Sequence, residues 1–556
     1  SFAWAVALAN TAACDQTITV DLTGLPDNST INISGILITA SRLKIVGPGR
    51  DLLRFEDTTP SGYSLSSQGM EYLEMSGFEL YHDQENTDDG LRLESSMIVL
   101  SEIAVSGYGQ NGISTVSMDN DFDQLFLSDN RTAILFYSSQ LGGQTSSEVP
   151  ARVSLTNSEF DNNEKSVFIN DYQSFTTSTI ENVVIKNNQD EYSGGLQINL
   201  YNTSGSFTTT HYITNVSFIN AYGNGANLNA SDGNDQIIAH FTNCTFSENG
   251  IRSYDDNLDD TTIDIAALAN KNSEVILTNC TFAQNAIAIG YDEVSGGSAL
   301  ATIKNSIFVG NTISNVYTSA GAATITESNN IGYPTFSGVA SDVINTTLTD
   351  PSGTGLLVHE LVVCTSSALD AGDDSVAPET DQLGNTRSGI SDLGAVESQG
   401  FINTQPQDLK DFLGNEASFS VVASADAPTY QWQVSSGGEY TDLADDATYS
   451  GTQTSELTIA ELTDDLDGNS YRVVINGLCE NISSGALLDV IHYPTSDDGS
   501  VTALEDATYS FQESDIAFAD SDEDLFAGIQ ITSDVSLGYL LYDGDAVSTD
   551  VIYSDL

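Results

Sequence analysis

The sequence predicts an all-β fold: a right-handed parallel β-helix closed by a short N-terminal helix, followed by antiparallel β-sandwiches. Three observations carry this reading. One motif keeps returning, as VSLTNSEFDNN (153–163), STIENVVIKNN (178–188), HYITNVSFIN (211–220), AHFTNCTFSEN (239–249), VILTNCTFAQN (275–285) and ATIKNSIFVGN (301–311). Each copy alternates apolar and polar residues, turns at an Asn, resumes with an apolar or aromatic pair and closes on a polar residue or a second Asn, which describes strand, tight bend, strand. The turning Asn falls at Asn157, Asn182, Asn215, Asn243, Asn279 and Asn305, in steps of 25, 33, 28, 36 and 26 residues; constant strands joined by variable loops are the mark of a solenoid. Beyond residue 401 the pattern changes to short, evenly spaced runs of antiparallel character: ASFSVVAS (417–424), TYQWQVS (429–435), SELTIAEL (455–462) and NSYRVVING (469–477).

A single coil cannot bury its apolar side. Stacked coils can, because equivalent residues then lie one strand spacing apart, about 4.8 Å, so that Phe160, Phe218, Phe246, Phe282 and Phe308 form an interior ladder and the Asn amides bond up and down the stack. The general preference of parallel crossovers sets the right hand.

In chain order, residues 1–13 are the helix, with Phe2, Ala5, Val6 and Leu8 on the face that covers the open end of the solenoid, an edge that would otherwise invite aggregation. Short strands follow at 17–22, 29–34 and 43–53, broken by Gly and Pro. YLEMSGFELYH (72–82) and MIVLSEIAVSGYG (97–109) read as weaker copies of the unit, interrupted by acidic insertions at 83–90 and 117–124. The β-helix spans 1–365, roughly a dozen coils and on the order of 60 Å at one strand spacing per coil, with a closing segment at 366–400, a sandwich at 401–491 and an incomplete module at 492–556.

Composition narrows the partners. With 79 acidic against 15 basic residues the formal charge is −64 over 556 residues. That balance argues against nucleic acid, whose phosphates require clustered Lys and Arg, and against an anionic membrane surface. Charged residues make up 17% of the chain and apolar ones 40%, which fits a folded protein with an acidic skin. Direct membrane insertion is not expected, because no run of about 20 apolar residues occurs. Cys14, Cys244, Cys280, Cys364 and Cys479 are too few and too scattered for a disulfide scaffold or a CxxC zinc site. Cys244 and Cys280 share one motif position, TNCTF, which makes them neighbours in an interior ladder.

The opening helix ending in "AN", the TITVDL strand and the LKIVGPG turn resemble, in order and spacing, the start of bacterial surface β-helix proteins of the choice-of-anchor, or polymorphic-outer-membrane-protein-like, kind. The segment SSALDAGDDSVAPETDQLGNTRSGISDLGAVES (366–398) resembles the signature that closes that family's β-helices: Ala368, Leu369, Asp370, Ala371 and Gly372 match its first half, Asp381, Gly384 and Arg387 its middle, and Asp392, Leu393, Gly394 and Ala395 its end. These polar residues are read as structural, a loop wrapping the last coil with Arg387 paired to a buried carboxylate. The 401–491 region resembles a bacterial immunoglobulin-like module, with Trp432 at the core Trp position, Asp467 and Tyr471 at the spacing of a tyrosine corner and Val473 where the second core Cys would stand. Residues 494–533, with Glu505, Asp506, Phe511 and the run Asp520, Asp522 and Asp524 in the expected places, resemble the start of the cadherin-like tandem repeats of giant bacterial adhesins. The resemblances together imply a secreted, extracellular cell-surface adhesin that contacts carbohydrate or abiotic surfaces and the secretion or surface-anchoring machinery, with type IX export and a role in gliding motility.

Two site classes follow. Glu505, Asp520, Asp522 and Asp524 offer hard oxygen ligands at alternating spacing, suited to Ca2+ at a module junction; Asp119, Asp121 and Asp123 look similar but also fit a solvated acidic loop, as does 255–260. Neither run is an EF-hand. The alternative function is a polysaccharide lyase or hydrolase with accessory modules, which needs a basic proton acceptor beside acidic metal ligands, or two or three converging carboxylates. Only twelve Lys or Arg precede residue 350 and none forms such a local pair; His82, His211, His240, His359 and His492 lie far apart. No catalytic residue is assigned. A structural surface filament is the third reading.

Overall fold

The computed structural model describes residues 2–553 apart from 12–16, 58–61, 87–88, 139–150, 172–175, 191–193, 202–206, 231–234, 251–265, 293–298, 319–322, 364, 388–389, 399–401, 424–427, 477–479, 498, 503, 505–506, 517, 522–527, 534–538 and 550. Cys14, Cys364 and Cys479 lie outside the described residues, as does the acidic stretch 255–260. Contacts divide the chain into two units, 1–398 and 399–556.

The first unit is a parallel β-helix. Among the described residues thirty strands join in one continuous sheet system in which strands pair in parallel with their equivalents in the next coil. Three faces result. The first carries, among others, Arg152–Thr156, Thr177–Glu181, Thr208–Thr214, Gln236–Thr242, Glu274–Thr278 and Leu300–Lys304; the second carries Glu159–Asp161, Val184–Lys186, Ser217–Ile219, Thr245–Ser247, Thr281–Ala283 and Ile307–Val309; the third runs from Ile36–Ile38 to Ser314–Thr318.

The bend between the first and second faces is set by the turning Asn. Asn157, Asn182, Asn215, Asn243, Asn279 and Asn305 all hold φ between 48° and 56°, a left-handed conformation that Asn tolerates better than most residues with a Cβ. Their side chains form the expected ladder: Asn182 donates to Asn157 at 3.2 Å, Asn215 to Asn182 at 3.1 Å and Asn243 to Asn215 at 3.3 Å. Earlier coils put Gly77, Glu102 and Gln124 at this bend, also at positive φ, which is why their copies look weak in sequence. A second Asn ladder lies inside. Asn249 donates to Asn285 at 2.9 Å and Asn285 to Asn311 at 3.0 Å, while the same amides reach back to the Phe218 and Phe246 carbonyls. Asn249 and Asn285 are fully buried, so these bonds meet the requirement that interior polar groups be paired.

The aromatic ladder forms with one change. Phe218, Phe246, Phe282 and Phe308 stack at 4.5, 4.5 and 4.9 Å, each pair within 12° of parallel. Phe160 is one coil removed, because Ile185 sits between it and Phe218 in the register. Cys244 and Cys280 are fully buried free thiols, as the shared motif position implies.

Residues 117–124 are not an insertion. Asp119–Ser128 is a strand in register with 97–106 before it and with 152–161 after it. Asn120 and Phe122 point inward and are buried; a polar residue at an inward position hid the alternation. Asp119, Asp121 and Asp123 are therefore the outward side of a strand. Asp119 pairs with Arg152 at 2.8 Å and Asp123 accepts from Thr156 and Asn157, both at 2.8 Å.

The helix Phe2–Thr11 caps the first coil. Phe2, Val6 and Ala9 are buried, with the Phe2 ring 4.8 Å from Phe55. Leu8 is 56% exposed, so Ala9 takes the place expected of it. Asn10 fixes the docking: its amide donates to Leu37 O at 2.8 Å, and its carbonyl accepts from the Thr39 and Ala40 amides.

The second unit opens with a two-sheet, mainly antiparallel sandwich, in which Leu409–Phe412 pairs in parallel with Ala486–Ile491. Thr429–Ser435 pairs with Ser470–Asn476, bringing Trp432 opposite Val473; Ala417–Ser420 and Tyr449–Ser450 pair with Glu456–Ile459 in the facing sheet. Trp432, Tyr471 and Val473 are buried, and Phe419 of the facing sheet stacks on Tyr471 at 5.0 Å. The Trp432 indole N–H donates to Thr454 O at 3.0 Å. At the expected tyrosine corner the Tyr471 hydroxyl meets Tyr449 at 3.2 Å, and Asp467 accepts the Val490 amide at 2.9 Å. Tyr493 stacks on Phe412 at 4.1 Å, so the sandwich's packing continues past residue 491. Further on, the described strands are two-residue pairs such as Thr495–Ser496 with Phe518–Ala519.

Candidate functional site

The closing segment lies on the last complete coil, as expected, but does not stop there. It runs back along the second face, over four coils. Gln382 bonds both Ser217 at 2.8 Å and Thr245 at 2.6 Å, Thr281 accepts the Ala395 amide at 3.0 Å, and Asn305 exchanges bonds with Asp373. The stretch before it joins the cover, with Leu357 O accepting from Ser217 and His359 bonded to Ser247 at 2.8 Å. As a result Ser217–Ile219, Thr245–Ser247, Thr281–Ala283 and Ile307–Val309 are buried on both sides. The outward residues there are Ser, Thr, Ala, Ile or Val. In the two preceding coils the same positions are Glu159, Asp161, Val184 and Lys186; the three charged ones join in an ion pair network, and Val184 is already buried. That loss of charge is a signal the sequence carried.

Arg387 holds the cover in place. Its side chain is 2% exposed and lies 3.0 Å from Glu397, itself 3% exposed, the buried carboxylate pairing expected of it. The guanidinium also donates to Asn243 Oδ1 at 3.1 Å and to the Asp392 and Gly394 carbonyls. Beside it, Asn279 donates to Asp392 O and Gly394 O. The cover is thereby keyed into the Asn ladder. Asp381 and Asp392 are buried nearby, but their oxygens are taken by backbone amides: Leu383, Asn385 and Glu397 on Asp381, Asp370 and Ser398 on Asp392. Burial pushes Asp392 up to about 6. Three carboxylates do converge, as a hydrolase would need, yet each is 4% exposed or less and engaged in holding the loop.

The histidines are dispersed. His211 is fully buried within the coils, bonded to Ser178 at 2.7 Å and Thr209 at 3.0 Å, and burial lowers it to about 3. This Ser–His pair is sealed from solvent and satisfies a polar pair in the core. His359 sits in the cover seam, likewise lowered by burial. His492 pairs with Asp464 at 2.7 Å. His240 is different, because it stands on the outer side of the first face.

Among the described residues that face stays open beside the covered one. Its outward columns in the same coils hold Thr177, Thr179, Thr210, Tyr212, Ile238, His240, Ile276 and Thr302. Tyr212 is 45% exposed and stacks on His240 at 5.0 Å and 18°. Composition alone did not single out this column, since His and Tyr fall in separate motif copies.

Of the expected Ca2+ ligands, Glu505, Asp522 and Asp524 lie outside the described residues, and Asp520 follows the short strand Phe518–Ala519. Among the described residues no group of three or more metal-ligating side chains is found. No described helix is long and apolar enough to cross a membrane.

No protein-family model and no curated protein matches the chain. Among solved structures, a complex of titin M10 with the obscurin-like 1 Ig domain aligns with 17% of this chain and 95% of its own, at 21% identity and a TM-score of 0.14. A mutant of the same complex aligns at 20% identity over 17% of this chain and 94% of its own, with the same score.

Proposed function

We propose that the chain is part of a secreted, cell-surface adhesin in which the β-helix displays a binding face and the C-terminal modules act as stalk. The observation that supports this most is the asymmetry of the rod: from the Ser217 coil onward the second face is covered by the chain's own 343–398 segment, whereas the neighbouring first face presents hydroxyls and a stacked aromatic pair to solvent. A long, regular, uncovered face suits contact with an extended ligand. Beads coated with the purified chain should attach to polysaccharide-coated or abiotic surfaces in flow, and attachment no greater than that of beads coated with an unrelated acidic protein overturns the proposal.

Within the same reading, Ca2+ bound by Glu505, Asp520, Asp522 and Asp524 orders the 492–556 module, because crowded carboxylates repel unless a cation lies between them. Chelation should speed limited proteolysis around 495–530 and leave the β-helix uncut, since its core is apolar. Equal cutting rates in both conditions would assign the run to a solvated loop.

A further inference from the structure

We infer that Tyr212 is the platform of a subsite for a neutral pyranose glycan, an inference that rests on the adhesin reading and names its ligand class and place. Tyr212 stands in an outward column of the first face. One side of its ring lies on His240, 5.0 Å away in the next coil. In the coil on the other side its register partner is Thr179, a short and exposed residue. The ring therefore rises above a low step one strand spacing away, about 4.8 Å, and this free side accounts for its 45% exposure.

The surroundings of the step are polar in a specific way. Thr177 and Thr210 flank it in the neighbouring outward column, and Glu181 and Thr214 flank it on the turn side. Down the stack Ile238 and Ile276 continue a partly exposed aliphatic strip beside His240. An aromatic face beside hydroxyls and a carboxylate matches a ligand that is apolar on one side and hydroxylated around its rim, which describes a pyranose ring. Few polar groups placed about an apolar contact are enough to orient such a ligand. Charge selects further. Glu181 and Glu274 border the strip, and the chain carries a formal −64, so uronic-acid or sulfated glycans are repelled and neutral ones are not.

The test is affinity electrophoresis of the full chain through native gels containing dextran, glucomannan, mixed-linkage β-glucan or alginate. At least one neutral polysaccharide should retard the wild type, and alginate should not. Tyr212→Ala should weaken the retardation at least fivefold, Tyr212→Trp should keep it, and Thr179→Phe, which fills the step, should lose it. Equal retardation of Tyr212→Ala and wild type, retardation by alginate alone, or no retardation by any neutral polysaccharide overturns the subsite. Bead attachment separates the two readings: beads that still attach when the subsite has failed leave the adhesin proposal standing. Attachment to protein-coated surfaces alone, abolished by Tyr212→Ala, would make the partner a protein and sink the glycan assignment.

Discussion

Two stretches of the second face share one backbone and differ in what lies over them. From Phe126 to Lys186 the outward positions are Phe126, Ser128, Glu159, Asp161, Val184 and Lys186, all but the buried Val184 reaching solvent; from Ser217 to Val309 they lie under the 343–398 segment and carry Ser, Thr, Ala, Ile and Val. Strand register and the Asn bend continue across the boundary, and the interior stays apolar, with Ile185 between Phe160 and Phe218. The coil's inside therefore determines the fold, and its outside determines what the fold can be joined to.

The strongest way to break this comparison uses one residue type at two heights of one column. Ser128 and Ser247 both point outward from the second face, in register through Asp161, Lys186 and Ile219. Ser247 is fully buried and bonded to His359. Ser247→Lys forces an ammonium under the cover and should cost about 5 kcal/mol or detach the segment, whereas Ser128→Lys gains Asp161 as a neighbour and should change stability by about 0.5 kcal/mol or less. Thermal unfolding and limited proteolysis within 343–398 measure both. Similar losses for the two would mean the cover is not a sealed layer.

Next in size is the key of the cover. Arg387→Ala leaves Glu397 buried without its partner and vacates the donors to Asn243 and Gly394; breaking a buried pair in this way should cost about 3–4 kcal/mol. Proteolysis should appear in 366–398 before the coils open. If the coils and the segment unfold together, the segment is part of the solenoid's cooperative unit.

Acid probes the interior and the seam separately. His211 is held neutral, with its pKa lowered to about 3 by burial, and His359 is lowered for the same reason. Groups depressed in this way favour the fold fully above the unfolded-state value of about 6.5, and their contribution is lost as pH falls below it, because the unfolded chain then binds the extra proton. The His211 share is about 1.4 kcal/mol per pH unit between those two values. Asp392, raised to about 6 by burial, acts in the opposite sense, gaining stability as pH falls from about 6 toward 4. The net expectation is loss from pH 6.5 to 4.5. His211→Asn should flatten the pH dependence of β-helix unfolding, and His359→Gln that of proteolysis in the seam; an unchanged pH slope in His211→Asn would mean that the imidazole charges without opening the coils.

Much of this was legible because the signals are local. A positive-φ bend selects Asn, and an inward ladder selects Phe, so the coils from Arg152 to Lys304 could be read from their spelling. The coil at Asp119 was not, because Asn120 occupies an inward position and Gln124 takes the bend at φ 52°. The path of the closing segment was hidden for a different reason. Residues 366–398 contain their own loop signals, but their partners, Ser217, Thr245 and Thr281, lie over a hundred positions earlier in unrelated-looking copies. Tyr212 and His240 escaped notice in the same way, since adjacency across coils depends on loop lengths that vary.

The smallest expected effect lies at the last open coil. Lys186 is 2.6 Å from Glu159 and 3.5 Å from Asp161, with 24% of its side chain exposed. It is one of few cations on an acidic surface, and its position is the final charged one before Ile219 begins the covered column. Two carboxylates share it, so its removal leaves them facing each other in water, where repulsion at such distances is weak and screened by salt. Partly exposed pairs of this kind contribute about 0.2–1 kcal/mol. Lys186→Met should therefore lower stability by no more than about 1 kcal/mol, and less at 0.5 M salt than at low salt. A salt-independent loss of the size expected for Arg387→Ala would extend the sealed layer from the buried Val184 to Lys186 in the same coil.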